Sequence, residues 1–95
     1  MLNSKQRKYL KSLANTMDPK INIGKNGISE NLITQINDTL TASELVKIKI
    51  LNNSLEDHNE MINEIIEKTN SDLVSHMGNK FVIFKQSKEQ IIKLP

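Results

Sequence analysis

Lys20-Ile21-Asn22-Ile23-Gly24-Lys25-Asn26-Gly27-Ile28-Ser29-Glu30 is the stretch on which the fold turns. It reads as a short strand, a Gly-x-x-Gly loop and the start of a helix. Isoleucines alternate with polar residues over Lys20–Ile23, the period of a half-buried strand. Two of the chain's three glycines follow, and glycine lets the backbone take positive φ and lets a ligand come close to the main chain. Ser29 caps a helix, with Ile28 and Ile33 at the two positions of a hydrophobic staple. A helix start offers unpaired N–H groups and partial positive charge, both of which favour an anion. Lys25 adds a full charge at the loop.

Working outward, the chain alternates between helical and strand patterns. Upstream, Asn3 or Ser4 caps a first helix expected to reach Met17, with Gln6 as a capping-box partner for Asn3. Leu10, Leu13, Ala14 and Met17 form its apolar stripe, while Lys5, Arg7, Lys8 and Lys11 lie mainly on its other faces. Asp18-Pro19 ends it, because proline disfavours helical geometry in the residue before it. Downstream, the second helix is expected over Glu30–Thr41, burying Leu32, Ile33, Ile36 and Leu40. Glu44–Leu51 is the clearest strand, with Val46, Ile48 and Ile50 on one face and Lys47 and Lys49 on the other.

Asn52-Asn53-Ser54 reads as a turn and cap for a third helix over Leu55–Thr69. That helix buries Met61, Ile62, Ile65 and Ile66 and exposes Glu56, Glu60, Glu64 and Glu67. Two strands, Asp72–Met77 and Lys80–Lys85, follow, joined at Gly78-Asn79 as a hairpin. The order α-β-α-β-α-β-β predicts an α/β fold, a single two-layer domain with a four-stranded mixed sheet. Its expected limits are residues 1–86, with 87–95 as a C-terminal tail, loose or docked at an edge.

The 95 residues suffice for one core. No apolar run is long enough for a membrane span, and the basic, polar N-terminus lacks the pattern of a signal peptide. Zero cysteines exclude disulfides, thiolate metal sites and a cysteine nucleophile. These features favour a cytoplasmic location. Net charge is only +2, but eight basic against four acidic residues fall before Ile50, and five against seven thereafter. Such polarity suits a basic face for a polyanion and an acidic back.

Catalytic signals are poor. His58 and His76 belong to no zinc-ligand spacing, and Glu56, Asp57 and Glu60 read as favourable charges on a helix dipole. Gly24-Lys25 lacks the spacing of a nucleotide-binding P-loop. No enzyme activity, metal, cofactor or small-molecule substrate is expected. Aromatics are limited to Tyr9, Phe81 and Phe84, and a regular strand sends the two phenylalanines to opposite faces. A stacking platform for bases is therefore disfavoured. Gripping of a sugar-phosphate backbone by the Gly-x-x-Gly loop, as in KH domains, fits better.

Three segments together, Lys5-Gln6-Arg7-Lys8-Tyr9-Leu10-Lys11-Ser12-Leu13-Ala14, Ile23–Glu30 and Gly78-Asn79-Lys80-Phe81-Val82-Ile83-Phe84-Lys85, resemble the bacterial stand-alone CRM-domain proteins, the YhbY/YqeI group. The resemblance spans about residues 2–86. It implies an RNA-binding domain similar to the C-terminal domain of a bacterial translation initiation factor, and association with precursors of the large ribosomal subunit. It places the family's loop on Gly24, Lys25, Asn26 and Gly27 and its basic helix on Lys5, Arg7, Lys8 and Lys11. Asn26 bonds sugar or phosphate, or only holds the turn; both readings stand. Lys80 and Lys85 are further candidates, although Phe84-Lys85 replaces the family's frequent Tyr-Arg pair and leaves a point charge where a bidentate fork would be. The expected protein is a cytoplasmic, monomeric, non-catalytic RNA binder in large-subunit assembly. The alternative is a protein–protein interaction module on ribosomal particles, working through the acidic third helix.

Overall fold

The structure, a computed structural model, describes residues 2–24, 27–51 and 57–95. Among these residues the elements are α1 (Ser4–Ala14), β1 (Ile21–Ile23), α2 (Glu30–Ser43), β2 (Leu45–Ile50), α3 (His58–Thr69), β3 (Asp72–Met77) and β4 (Lys80–Phe84). The strands form one mixed sheet in the order β1-β2-β4-β3. β1 runs parallel to β2, and β4 is antiparallel to both β2 and β3.

Local chemistry sets the helix starts. Asn3 Oδ1 accepts from the Gln6 N–H at 2.8 Å, and Gln6 Oε1 accepts from the Asn3 N–H at 3.1 Å, a complete capping box. Ser29 Oγ accepts from the Leu32 N–H at 3.1 Å, and Ile28 and Ile33 both pack against the main core. Asp57 Oδ1 caps α3 by accepting from the Asn59 and Glu60 N–H groups at 2.8 and 3.2 Å. The turn and cap expected at Asn52–Ser54, and the helix start expected at Leu55, lie outside the described residues; the described helix begins at His58.

β1 and β2 are each a residue shorter at one or both ends than expected, and three other boundaries differ for physical reasons. α1 ends at Ala14, before Met17, because the Lys47 ammonium donates to the Ala14 and Met17 carbonyls at 3.3 and 3.1 Å. A cation there complements the negative end of the helix dipole. α2 continues past Thr41 to Ser43 and stops at Glu44, whose φ of 65° belongs to neither helix nor strand. β4 closes at Phe84: the Lys85 N–H still donates to the Glu44 carbonyl at 2.9 Å, the next pair in register, but the φ of 65° at Glu44 takes that partner out of the strand.

Alternation along β2 and β4 builds a core on each face of the sheet. Val46, Ile48, Ile50, Phe81 and Ile83 pack with α2 and α3 through Ile36, Leu40, Met61, Ile62 and Ile65. These are the expected two layers. On the opposite face Leu45, Val82 and Phe84 pack under Leu10 and Ala14 of α1, together with Leu2 and Val74. α1 thus adds a partial third layer. Phe81 and Phe84 are both buried, one in each core. A register shift between Leu73 and Ser75 marks a bulge at Val74; Val74 packs in the α1-side core, and the extra residue puts Ser75 and Met77 on the α1 face as well.

The C-terminal segment docks. Glu44 is fully buried, and its carboxylate accepts from the Ser87 N–H (2.6 Å), Ser87 Oγ (2.7 Å) and the Ile92 N–H (2.6 Å). Ile92 and Leu94 pack against the α1-side core.

Candidate nucleic-acid interface

The glycine loop stands where β1 ends and α2 begins. The Gly27 N–H donates to the Gly24 carbonyl at 3.0 Å, closing a turn, and Gly27 has φ of 70°. That φ lies in the left-handed region, which glycine adopts freely and a residue with a Cβ does not. At Gly24 a Cβ would meet only Leu51 Cδ1 at 4.0 Å, so space does not demand glycine there. In the free chain the Gly27 N–H is engaged in closing this turn. Lys25 and Asn26 lie outside the described residues.

Hydrogen bonds gather two more segments at this end of the sheet. The Leu51 N–H donates to the Ile23 carbonyl at 2.9 Å. The Ile50 N–H donates to the Asn79 carbonyl at 2.7 Å, and Asn79 Nδ2 returns a bond to the Ile50 carbonyl at 3.0 Å. The capped N-terminus of α2 and the Gly78-Asn79 turn therefore flank the same rim, Gly78 having φ of 61°. Helix N-termini attract anions through their free N–H groups and dipole.

Below this rim, on the face of α1, the sheet is only partly covered. Lys11, Ala14, Asn15, Lys47, Ser75, Met77, Lys80 and Val82 line an open depression between the end of α1 and the strands. Three of these are cations, supplied by α1, β2 and β4, and none is a carboxylate. A second shallow cleft, between α1 and the β3 edge, is lined by Ser4, Arg7, Lys8, Lys11 and Val74. Arg7 Nε donates to the Leu73 carbonyl at 3.3 Å, which fixes the guanidinium beside the sheet edge.

The structure thus brings together Arg7, Lys8, Lys11 and Lys80. Lys5 is exposed on α1 but lines neither cleft; at about 100° per helical residue it projects roughly 120° away from Lys11. Lys85 lies beyond the far end of β4, beside Leu40, Thr41 and Ser87. The length of the strand separates it from Lys80, by roughly 17 Å at ~3.3 Å per residue. Lys47 and Lys49 share the α1 face with Lys80. Their alternation with Val46, Ile48 and Ile50 was visible in the sequence, but which face α1 would cover was not.

Among the described residues the one ion pair is Lys68–Glu64 at 2.8 Å on α3, where Glu64 raises the Lys68 pKa. α3 packs on the other side of the sheet from α1. No described helix is long and apolar enough to cross a membrane, and no described group of His, Cys, Asp or Glu is arranged to hold a metal. His76 is exposed, its Nε2 2.9 Å from the Gly78 carbonyl, and His58 is half-buried.

The chain is similar to several known proteins over its full length. It is 40% identical over 96 residues to the "Probable RNA-binding protein YqeI" of Bacillus subtilis, covering 100% of both chains. It is 33% identical over 94 residues to an "RNA-binding protein" of Haemophilus influenzae, covering 99% of this chain and 95% of the other. The solution structure of the hypothetical protein SAV1595 from Staphylococcus aureus superposes with a TM-score of 0.83 at 47% identity, covering 100% of each chain. Residues 2–85 match the model of the CRS1 / YhbY (CRM) domain. With nearly its whole length matched and its fold shared, the chain belongs to the CRS1/YhbY (CRM) domain family.

Proposed function

We propose that this protein is a non-catalytic RNA-binding protein whose ligand is precursor RNA of the large ribosomal subunit. The observation that supports the RNA-binding reading is the convergence of Lys11 and Lys80, from separate elements, on one open depression without a lining carboxylate, with Lys47 in the same depression but engaged in capping α1. Nucleic-acid affinity grows with the number of phosphates neutralised, so cations gathered on one face matter more than net charge. The names of the relatives support RNA as the polymer. The ribosomal precursor is supported by the resemblance to stand-alone CRM-domain proteins.

In this reading the rim formed by the Gly24–Gly27 loop and the α2 N-terminus takes phosphates, with Lys25 as the point charge. Asn26 bonds the same backbone or holds the turn. Arg7, Lys8 and Lys11 extend the track along α1, Lys80 continues it on the sheet, and Lys5 contributes long-range attraction. These groups address backbone more than base edges, so RNA shape matters more than sequence. The protein acts as a monomer in the cytoplasm. Lys25→Glu tests the loop: RNA affinity at moderate salt should fall at least about tenfold, with thermal stability nearly unchanged. Unaltered affinity would remove the loop from the contact surface.

A further inference from the structure

The strand register aligns four residues into one rung across the open sheet. Met77 pairs with Lys80, Lys80 with Lys49, and Lys49 with Asn22. Directly paired residues point to the same face. This face is the α1 side, because Ile21, Ile23, Ile48, Ile50 and Phe81 take the other. Three strand spacings of about 4.8 Å make the rung roughly 14 Å long. It runs from the β3 edge to the β1 edge, where Gly24 lies two residues beyond Asn22.

Two features of the rung do not suit an isolated sheet. Lys49 and Lys80 are direct cross-strand partners, and like charges placed so are destabilising. Among the described residues neither has an acidic partner within ion-pair distance. At the end of the rung Met77 is 74% exposed, the most exposed of the large apolar side chains among the described residues. An anion over the two lysines would relieve the repulsion, and a flat apolar group would cover the methionine. An RNA backbone with an unstacked base supplies both, and unstacked bases belong to single strands.

We propose that the Met77–Lys80–Lys49–Asn22 rung is a second RNA contact, which leads a single-stranded segment from the glycine-loop rim across the sheet. Lys49 and Lys80 neutralise phosphates, the Asn22 amide hydrogen-bonds the backbone, and Met77 packs on a base. The inference rests on the RNA-binding reading above and adds Lys49, Asn22 and Met77 to the surface.

The test is fluorescence anisotropy with two labelled RNAs, a blunt stem-loop and the same stem-loop carrying a single-stranded extension. Lys49→Gln and Lys80→Gln are measured separately, so that failure of one variant to fold leaves the other; Lys85→Gln, at the far end of the sheet, controls for net charge. Each rung variant should weaken the extended RNA about fivefold and flatten its salt dependence by nearly one ion, with a much smaller effect on the blunt RNA. Lys85→Gln should change affinity less than about twofold. If the rung variants behave like Lys85→Gln while Lys25→Glu still weakens binding, the rung is refuted and the loop stands. Equal losses on both RNAs would refute the single-strand assignment. If wild type binds neither RNA, the RNA-binding reading fails and the rung with it.

Discussion

Glu44→Gln probes the link between the C-terminal segment and the rest of the domain. One carboxylate oxygen, Oε2, accepts from both the Ser87 N–H and Ser87 Oγ, and Oε1 accepts from the Ile92 N–H. A glutamine of the same shape can offer only one oxygen. Its NH₂ must face a backbone N–H on one side, so at least one bond to a charged acceptor is lost and a donor is left unpaired. Hydrogen bonds to charged groups contribute about 1.5–3 kcal/mol, and stranding a buried donor costs a similar amount. Part of that cost is recovered when the segment lifts into water, which leaves about 2 kcal/mol. For a domain of this size ~2 kcal/mol corresponds to roughly 8–16 °C in Tm.

The same site gives a pH signature. Burial alone raises the Glu44 pKa, but the bonds from Ser87 and Ile92 outweigh it and hold the carboxyl below its ordinary value. A depressed folded-state pKa contributes stability that is present above the unfolded value, near 4.3, and lost as pH falls through the folded value. Thermal melts followed by circular dichroism should therefore show wild type well above Glu44→Gln at pH 7, with the gap closing below about pH 4. A Tm difference under about 2 °C at neutral pH, or a gap independent of pH, would refute the reasoning.

Other substitutions test other joints. Lys47→Met keeps the aliphatic stem but removes the ammonium from the Ala14 and Met17 carbonyls; a loss of about 1–2 kcal/mol is expected in urea melts. Asn3→Ala removes the capping box of α1 and should cost about 1 kcal/mol by the same assay, with faster amide exchange over residues 4–8. Gly78→Ala meets no atom within 4 Å, so its cost comes from the backbone φ of 61° alone; about 1 kcal/mol is expected.

The elements were legible because local chemistry and tertiary packing agree in most of the chain. The Val46–Ile50 alternation, the Ser29 cap with its staple and the Gly78-Asn79 turn each identify one element without outside help. What depended on distant residues was hidden. Glu44 reads as a polar strand start, but it is buried because Ser87 and Ile92, more than forty positions away, come to it. Lys47 reads as a solvent-facing cation and instead caps α1, which requires knowing that α1 crosses that side of the sheet. The Val74 bulge has no signal in a sequence that lacks glycine there.

The candidate site was legible to a similar degree. Arg7, Lys8, Lys11 and Lys80 come together because α1 lies over the strand face that carries Lys80. Lys85, close to Lys80 in sequence, is carried away by the strand between them. The resemblance pointed to Lys85 through the last-strand motif, whereas the residue placed directly opposite Lys80 by strand register is Lys49.

In the proposed function RNA meets the α1 face and the glycine-loop rim, with α3 turned away. A titration of ¹⁵N-labelled protein with a structured ribosomal-precursor RNA, followed by amide chemical shifts, tests it most directly. Perturbations are predicted over residues 4–15, 22–29, 47–49 and 77–80, with His58–Thr69 silent. Perturbations concentrated on α3, with the α1 face unchanged, would contradict the account.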